Sequence, residues 1–321
     1  MGQDILVVAE HMSGAFQDVT FELIGKGREL ATATSGKLCV AVLGSGMEST
    51  AASLGAADHI FYMDHENLAN FNPEAYVAAL SDLLDQAAPR LTLVANTSMG
   101  MDLAASLATR KNIPLAAYAI DVAMEGSDAV ATSQLYGGKI YSETVLSGDA
   151  GIVAMLAGSA PASAGQADGS PEVSKVEVPE AATNCQLKFV KLVEPEGGDV
   201  DITTHETLVG VGRGIQSEDN LPLIEALAET LGGAVCSSRP IVDNKWLPKT
   251  RQVGKSGLKV KPKIYLAIGI SGAPEHIEGM KDAELIIAIN SDETAPIFEH
   301  AHYGTTEDLF DVVPALTEKL K

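Results

Sequence analysis

The feature that most restricts the fold of this chain is the alternation of short aliphatic runs with amphipathic stretches in its first half. Aliphatic runs at residues 4–10, 37–44, 59–64, 91–96 and 151–158 predict strands. Between them, apolar residues recur every three or four positions, which is typical of helices that bury one face. Strands that alternate with helices form a parallel sheet covered by helices. The pattern therefore predicts an α/β fold.

Three segments that follow depart from this alternation. Residues 129–145 predict a hairpin with Gly137 and Gly138 in its turn. Residues 159–171 are small and polar, which predicts a loop or mobile connector. Residues 172–195 predict two further strands.

A second α/β pattern follows an acidic segment that contains Gly and Pro but has no hydrophobic period. This segment predicts a linker or hinge at residues 196–205, between an N-terminal α/β domain at 1–195 and a second domain at 206–321. A length of 321 residues is ordinary for two domains. The chain closes at 306–321 with an amphipathic helix, in which Pro314 is expected near the helix start or at a kink.

Charge and composition exclude several classes of function. The chain has 43 acidic and 22 basic residues and a formal net charge of −21, so no nucleic acid partner is expected. No run approaches the roughly 18 apolar residues of a membrane helix, and no secretory signal opens the chain, so we expect a cytoplasmic location without membrane insertion. Cys39, Cys185 and Cys236 are widely spaced, which indicates reduced thiols rather than disulfides or a metal site.

A phosphate-binding P-loop ends in Gly-Lys-Ser or Gly-Lys-Thr. This chain contains that tripeptide as Gly254, Lys255 and Ser256. Such a loop needs a glycine five residues before the second one, because that glycine turns successive backbone N–H groups toward the phosphates. Lys249 stands at that position, and the preceding segment is polar and contains Pro248 instead of forming a buried strand. The chain is therefore not predicted to be a P-loop ATPase.

Two other glycine turns follow predicted strands, at residues 42–49 and 209–216. Neither completes Gly-x-Gly-x-x-Gly, because Ser49 and Ile215 occupy the third position. The first is interpreted as an ordinary strand-to-helix turn. The second carries Arg213 between two glycines, which places a guanidinium where a strand, a turn and a helix start can meet a phosphate.

Further ligand-binding side chains follow two later strands. Arg239 comes directly after an aliphatic strand and two hydroxyls, and either points into a ligand crevice or forms a surface ion pair. Gly269, Ser271 and Gly272 follow another strand and allow close approach of a pyrophosphate, with His276 one turn later. No nucleophile elbow, metal-ligand spacing or catalytic carboxylate pair is present. These features predict a protein that holds a nucleotide-type cofactor.

The motifs of the second half, in their order, resemble the α subunit of electron transfer flavoproteins: VGVGRGI, SSRPIVD with WLPKTRQVGKSG, IYLAIGISGAPEH, AINSDETAPIF and YGTTEDLF. The resemblance extends from residue 4 to the C-terminus and is strongest from about residue 208. It implies an N-terminal nucleotide-hydrolase-like α/β domain that packs against a β subunit. It also implies a C-terminal parallel-sheet domain that holds one FAD.

The resemblance assigns residue roles as well. Arg213 and the turn at Ser271 and Gly272 approach the pyrophosphate, Arg239 lies over the isoalloxazine ring, Ser256 lies near flavin N5, and His276 donates to flavin O2. Asn290 and Asp308 lie on the adenosine side. The complete set of implied cofactor-binding residues is Arg213, Gly214, Ser238, Arg239, Gln252, Val253, Gly254, Lys255, Ser256, Gly269, Ser271, Gly272, Ala273, His276, Asn290, Asp308 and Leu309.

The function that the resemblance implies is an electron carrier rather than an enzyme. The heterodimer would take electrons from an acyl-CoA dehydrogenase or a similar flavoenzyme and pass them on through FAD, with AMP or a second FAD in the β subunit. The alternative is an electron-bifurcating, NADH-dependent complex with a second FAD in β. A third possibility is a regulatory nucleotide-binding protein without redox activity. Lys255, where the family usually has Gln, and Glu275 depart from the family pattern.

Overall fold

The computed structural model describes residues 3–192 and 199–321. The chain forms two compact units, Met1–Lys191 and Leu192–Lys321. Residues 196–198 of the predicted linker lie outside the described residues, and the rest of it packs within the second unit. There Ile202 is fully buried, and the carboxylate of Asp199 accepts hydrogen bonds from Arg251 and Thr250. The exact position of a hinge stays a prediction.

The first unit is an α/β domain. Its elements are β1 (Ile5–Val8), β2 (His11–Met12), β3 (Ala15–Phe16), α1 (Asp18–Thr34), β4 (Leu38–Gly44), α2 (Glu48–Ala52), β5 (His59–Asp64), α3 (Pro73–Ala87), β6 (Leu91–Ala95), α4 (Ser98–Lys111), β7 (Leu115–Glu125), β8 (Asp128–Leu135), β9 (Ile140–Leu146), β10 (Ile152–Met155), β11 (Glu172–Lys175) and α5 (Glu180–Thr183).

The main sheet of this unit has the strand order β11-β5-β4-β1-β6-β10-β7-β8-β9. Its pairs are parallel except β7–β8 and β8–β9. Each of the five aliphatic runs predicted as strands forms a strand, and separate apolar clusters cover the two faces of the sheet. The predicted hairpin is confirmed as β8 and β9, and Gly138 has a φ of 88° in the turn. This left-handed conformation favours glycine.

Two strands were predicted within residues 172–195. The prediction of the second one is wrong for residues 176–192, the part of that segment after β11 that the structure describes. The first strand is β11, but the chain then forms α5 and continues to residue 192 without a strand. Side chains pair with its backbone groups there. Glu74 accepts from the N–H groups of Gln186 and Leu187, and Asn72 donates to the Leu187 carbonyl. These contacts satisfy the polar backbone that a sheet would otherwise pair.

The predicted loop at residues 159–171 is confirmed, and part of it packs on a helix. Its turn Ala162–Gly165 lies against α1. A Cβ built on Gly165 would lie 1.9 Å from the carbonyl oxygen of Phe21, and one on Gly25 would lie 2.8 Å from Cβ of Ala164. The small residues of this loop therefore allow backbone to pack directly on a helix.

The second unit is a smaller α/β domain. Its elements are β12 (Thr207–Val211), α6 (Leu221–Thr230), β13 (Ala234–Ser237), α7 (Arg239–Asp243), β14 (Ile264–Ile268), α8 (Pro274–Met280), β15 (Leu285–Ile289), β16 (Tyr303–Thr305) and α9 (Leu309–Leu320).

The strands of this unit form an all-parallel sheet in the order β13-β12-β14-β15-β16. An apolar cluster covers each face of this sheet. The closing helix is confirmed as α9, with Pro314 in its second turn. The chain leaves β12 for β13 on one side and later returns to β14 on the other side. The strand order therefore changes direction between β12 and β14, which makes this point a topological switch.

Candidate functional site

A cavity of about 770 Å³ lies in the second unit, lined by loops that follow β12, β13, β14 and β15. In open parallel sheets, ligands bind outside the carboxyl ends of the strands at the switch point. The loops after β12 and β14, the two strands that flank the switch, both contribute to the lining. The volume is within the range of about 300 to 1,000 Å³ that is usual for small-molecule sites.

Most residues predicted to bind the cofactor line this cavity. They are Arg213, Gly214, Ser238, Arg239, Gln252, Val253, Gly254, Lys255, Ser256, Gly269, Ser271, Ala273, His276 and Asn290. Four lining residues were not in the predicted set: Pro240, Ile270, Glu275 and Asp292. Each is a sequence neighbour of a predicted residue or lies two positions from one, so a wider window around each motif would have included it.

Two glycine turns meet backbone to backbone at the base of the cavity. The N–H of Gly214 donates to the carbonyl of Gly269 at 3.0 Å, and the N–H of Gly212 donates to Ile268 at 2.8 Å. A Cβ on Gly212 would lie 2.3 Å from the Gly269 oxygen. Gly269 itself has a φ of 62°. Only glycine fits this contact, so the turns and the backbone groups beside Arg213 are held in one place.

The Gly-Lys-Ser loop forms another wall, held by backbone hydrogen bonds at both ends. The N–H of Val253 donates to Ser237, and the N–H of Lys255 donates to the carbonyl of Glu275 at 2.7 Å. The amide of the buried Gln252 donates to the hydroxyl oxygen of Ser256 at 2.8 Å. Because that oxygen already accepts a hydrogen bond, the Ser256 hydroxyl proton is free to donate to a ligand.

His276 brings a buried polar atom to the cavity. It lies in the first turn of α8 and is 6 % exposed. Its Nε2 lies 3.0 Å from the hydroxyl oxygen of Tyr265, whereas its Nδ1 has no hydrogen bond partner among the described residues. Burial lowers the pKa of His276 to about 4. The ring is therefore neutral at pH 7, and its Nδ1 is buried as well as unpaired.

Arg213 and Arg239 place two guanidinium groups on the lining. Arg213 lies in a short 3-10 turn directly after β12, and Arg239 begins α7 directly after β13. The ion pair considered for Arg239 is present, with Nε 3.3 Å from Asp243, but the two side chains are 69 % and 62 % exposed. Such an exposed pair contributes little, so it does not prevent Arg239 from binding an anionic ligand.

Asn290 lines the cavity, but much of its hydrogen bonding is internal. It donates to the carbonyl of Ile270 at 2.9 Å and accepts from the N–H of Asp292 at 3.0 Å. It therefore ties together the loops after β14 and β15.

Gly272, Asp308 and Leu309 belong to the predicted set but are not part of the lining. Gly272, with a φ of 86°, packs on the backbone of Ile297. Asp308 caps α9 by accepting from the N–H of Phe310, and Leu309 is buried in the core. Their contact with a cofactor stays a prediction.

The first unit also has a topological switch point but no comparable cavity there. There the strand order changes direction between β1 and β6, and Thr97 donates to Glu10 across the gap at 2.7 Å. The space between these strand ends is only about 10 Å³. Burial raises the pKa of Glu10. Of the two switch points in the described residues, only the second has room for a nucleotide.

Within 3–192 and 199–321, no group of three or more His, Cys, Asp and Glu side chains could hold a metal ion. Over the same residues, no helix has both the length and the apolar composition needed to cross a membrane. Cys39, Cys185 and Cys236 form no disulfide with one another.

Comparison with known proteins gives the family. Residues 5–181 match the profile of the electron transfer flavoprotein domain, and residues 201–281 match that of the electron transfer flavoprotein FAD-binding domain. The chain belongs to the electron transfer flavoprotein family. Its relatives in that family place it with the α subunits.

Relatives of this flavoprotein chain match over nearly its whole length. It is 36 % identical to the electron transfer flavoprotein subunit alpha of Methylophilus methylotrophus, over 98 % of each chain. It is 35 % identical to protein FixB of Clostridium saccharobutylicum, over 99 % of this chain and 96 % of the relative. It is 34 % identical to the lactate dehydrogenase (NAD(+),ferredoxin) subunit LctC of Acetobacterium woodii, over 97 % of this chain and 75 % of the relative.

The residues at the cavity fit the cofactor that gives the matched domain its name. Two guanidinium groups and the backbone of the glycine turns suit a pyrophosphate. The side chains of Ser256 and His276, both on the lining, can form hydrogen bonds and suit the nitrogen and oxygen atoms of a flavin ring. Most of the lining residues lie within residues 201–281, the segment that matches the FAD-binding domain. The geometry of the cavity and the family match therefore indicate the same FAD site.

Proposed function

We propose that this chain is the α subunit of an electron carrier that holds one FAD in the 770 Å³ cavity and works as a heterodimer with a β subunit. The observation that carries the proposal is the open switch-point cavity, lined by two arginines and by His276. The closed switch point of the first unit supports the same assignment. FAD, when bound, supplies the redox chemistry.

The residues of the chain would bind and orient the cofactor. Arg213 and the backbone of Gly214, Gly269 and Ser271 would hold the pyrophosphate, because they surround the switch point. Ser256 would donate to flavin N5 and His276 to flavin O2. Arg239 would place its charge near the ring, where negative charge accumulates on reduction.

We expect the two arginines to affect different quantities. In the FAD-loaded protein, Arg239→Ala should lower the first one-electron potential by about 60 mV, which corresponds to a tenfold change for one electron. Arg213→Ala should instead weaken FAD binding by about tenfold, because it removes a phosphate contact and leaves the ring environment intact. Spectroelectrochemical titration and FAD titration measure the two effects. An unchanged potential in Arg239→Ala would contradict the assignment.

The first unit offers a surface for the β subunit at the end of its sheet. We define the β9 edge patch as five apolar side chains, between 38 % and 79 % exposed: Leu135, Tyr136, Ile140, Tyr141 and Val145. Ile140 and Tyr141 are successive strand residues and point to opposite faces, so the exposed apolar side chains surround the sheet edge instead of covering one face. Exposed apolar surface of this kind is typical of protein interfaces. An edge strand such as β9 also leaves backbone groups unpaired. The patch therefore supports the role of this unit in packing against a partner.

Charge placed in the β9 edge patch should weaken the heterodimer. We expect Tyr141→Glu to raise the dissociation constant of the two subunits about tenfold, because interface tyrosines carry much of the binding energy. Analytical ultracentrifugation of the co-expressed subunits measures it. Tyr303→Glu, an exposed tyrosine of the second unit, is the matched control. Equal effects of the two substitutions would mean that the patch is not the interface.

A flavin count of the co-purified heterodimer tests the proposed function. One FAD and one AMP per dimer supports the carrier, whereas two FAD supports the electron-bifurcating, NADH-dependent alternative. This alternative is tested because one relative, the Acetobacterium woodii subunit, has NAD(+) and ferredoxin in its name. A colourless heterodimer that does not bind added FAD would contradict both. The acyl-CoA dehydrogenase donor and the cytoplasmic location stay predictions.

A further inference from the structure

Three buried polar side chains form a chain of contacts beneath the cavity. Sγ of Cys236 lies 3.5 Å from the hydroxyl oxygen of Tyr265, and that oxygen lies 3.0 Å from Nε2 of His276. Cys236 and Tyr265 have no exposed surface. Of the three, only His276 lines the cavity. The contacts therefore connect the interior of the sheet to the ligand site.

The sheet provides the space that the tyrosine hydroxyl needs. Gly210 lies on β12, the strand beside β14, which carries Tyr265. A Cβ on Gly210 would lie 2.5 Å from the Tyr265 hydroxyl oxygen. Any other residue at 210 would push the tyrosine ring away, so the position of the hydroxyl is fixed by the strand pairing.

The donor and acceptor strengths set the direction of these hydrogen bonds. Among the described residues, the Tyr265 hydroxyl has two polar partners, the thiol of Cys236 and Nε2 of His276. A phenol is a good donor, an imidazole nitrogen is a good acceptor, and a thiol is weak in both roles. Tyr265 therefore donates to Nε2 and accepts from the thiol. Burial raises the pKa of Cys236 to about 12, so the thiol keeps its proton.

We propose that Tyr265 is a positioning residue that holds the neutral ring of His276, a residue of the cavity lining, as the Nδ1–H tautomer. A neutral imidazole that accepts at one nitrogen carries its proton on the other. When FAD is bound, the acceptor for this N–H would be a carbonyl oxygen of the flavin ring, and because Nδ1 is buried without a ligand, the His276 side chain must shift to reach it. This last step rests on the proposed function, whereas the tautomer itself does not.

The tautomer is measured in the full chain without FAD, by ¹⁵N NMR of histidine-labelled protein at neutral pH. The chain has seven histidines, and His276→Gln identifies the signal. We expect an unprotonated Nε2 and a protonated Nδ1 in the wild type. Tyr265→Phe should lower the ratio of the Nδ1–H to the Nε2–H form about fivefold, the effect of one lost hydrogen bond. Cys236→Ala, the matched control, should retain the Nδ1–H form.

FAD affinity provides a second readout. Tyr265→Phe should raise the FAD dissociation constant about fivefold, and Cys236→Ala should leave it within about twofold. A wild-type spectrum with the proton on Nε2 would overturn the proposal, whether or not the variants fold. So would an unchanged tautomer in Tyr265→Phe. If the protein shows the Nδ1–H signal but binds no FAD, the inferred tautomer is correct and the proposed function is contradicted.

Discussion

Replacing Gly212 by valine is expected to raise the FAD dissociation constant of the full chain more than about 100-fold. A Cβ at this position would lie 2.3 Å from the Gly269 oxygen and 2.7 Å from Cα of Ile270. Both are backbone atoms of the turn after β14, and neither can move aside as a flexible side chain would. The substitution therefore separates the two glycine turns that form the base of the cavity.

Fluorescence of Trp246 measures this effect, because it is the one tryptophan of the chain and lies in the second unit. Bound FAD should quench it, and far-UV circular dichroism shows whether the variant still folds. Gly232→Asn is the matched control. Gly232 has open space around it and a φ of 63°, which asparagine tolerates. FAD binding by a folded Gly212→Val protein within threefold of wild type would contradict the account of the turns.

Acid should destabilise the second unit through His276. Burial lowers its pKa to about 4 in the folded protein, whereas the pKa in the unfolded chain is about 6.5. The unfolded state therefore binds more protons between these values. The stability contribution is complete above about pH 6.5 and is lost as the pH falls to about 4. It amounts to at most about 3 kcal/mol.

Urea unfolding followed by Trp246 fluorescence, repeated across this pH range without FAD, measures the loss. The control is His276→Gln, which keeps a polar side chain of similar size but does not titrate. Other groups titrate in both proteins, so the difference between the two profiles isolates His276. We expect the wild-type free energy of unfolding to fall more steeply with acid. Parallel profiles would show that the buried ring does not control acid stability.

The fold was predictable where burial made the pattern simple. Strands such as β1, β4 and β10 are buried on both faces and appear as continuous aliphatic runs. β7 and β16 were missed, because β7 mixes buried and exposed positions and β16 has three residues. The strand expected near residue 187 failed for another reason. The side chains of Asn72 and Glu74, more than a hundred positions away in the sequence, form the hydrogen bonds that its backbone groups would otherwise form in a sheet.

Much of the candidate site was predictable because cavity residues follow strand ends, where glycines and polar side chains interrupt aliphatic runs. Arg213 and Ser271 are examples, each one to three positions after a strand. The support beneath the site was not predictable. Tyr265 appears in the sequence as one residue of a strand, and its contact with His276 depends on how the strand and α8 pack. Gly210 likewise has a role only once β12 and β14 are paired.

The most direct test of the central claim is the location of FAD in a crystal structure of the FAD-loaded heterodimer. We expect one FAD in the cavity of the second unit. Its pyrophosphate should lie at the turns that contain Arg213 and Ser271, and its flavin ring against Arg239, Ser256 and His276. FAD bound to the first unit, or bound in the reverse direction with its pyrophosphate at Ser256, would contradict the account.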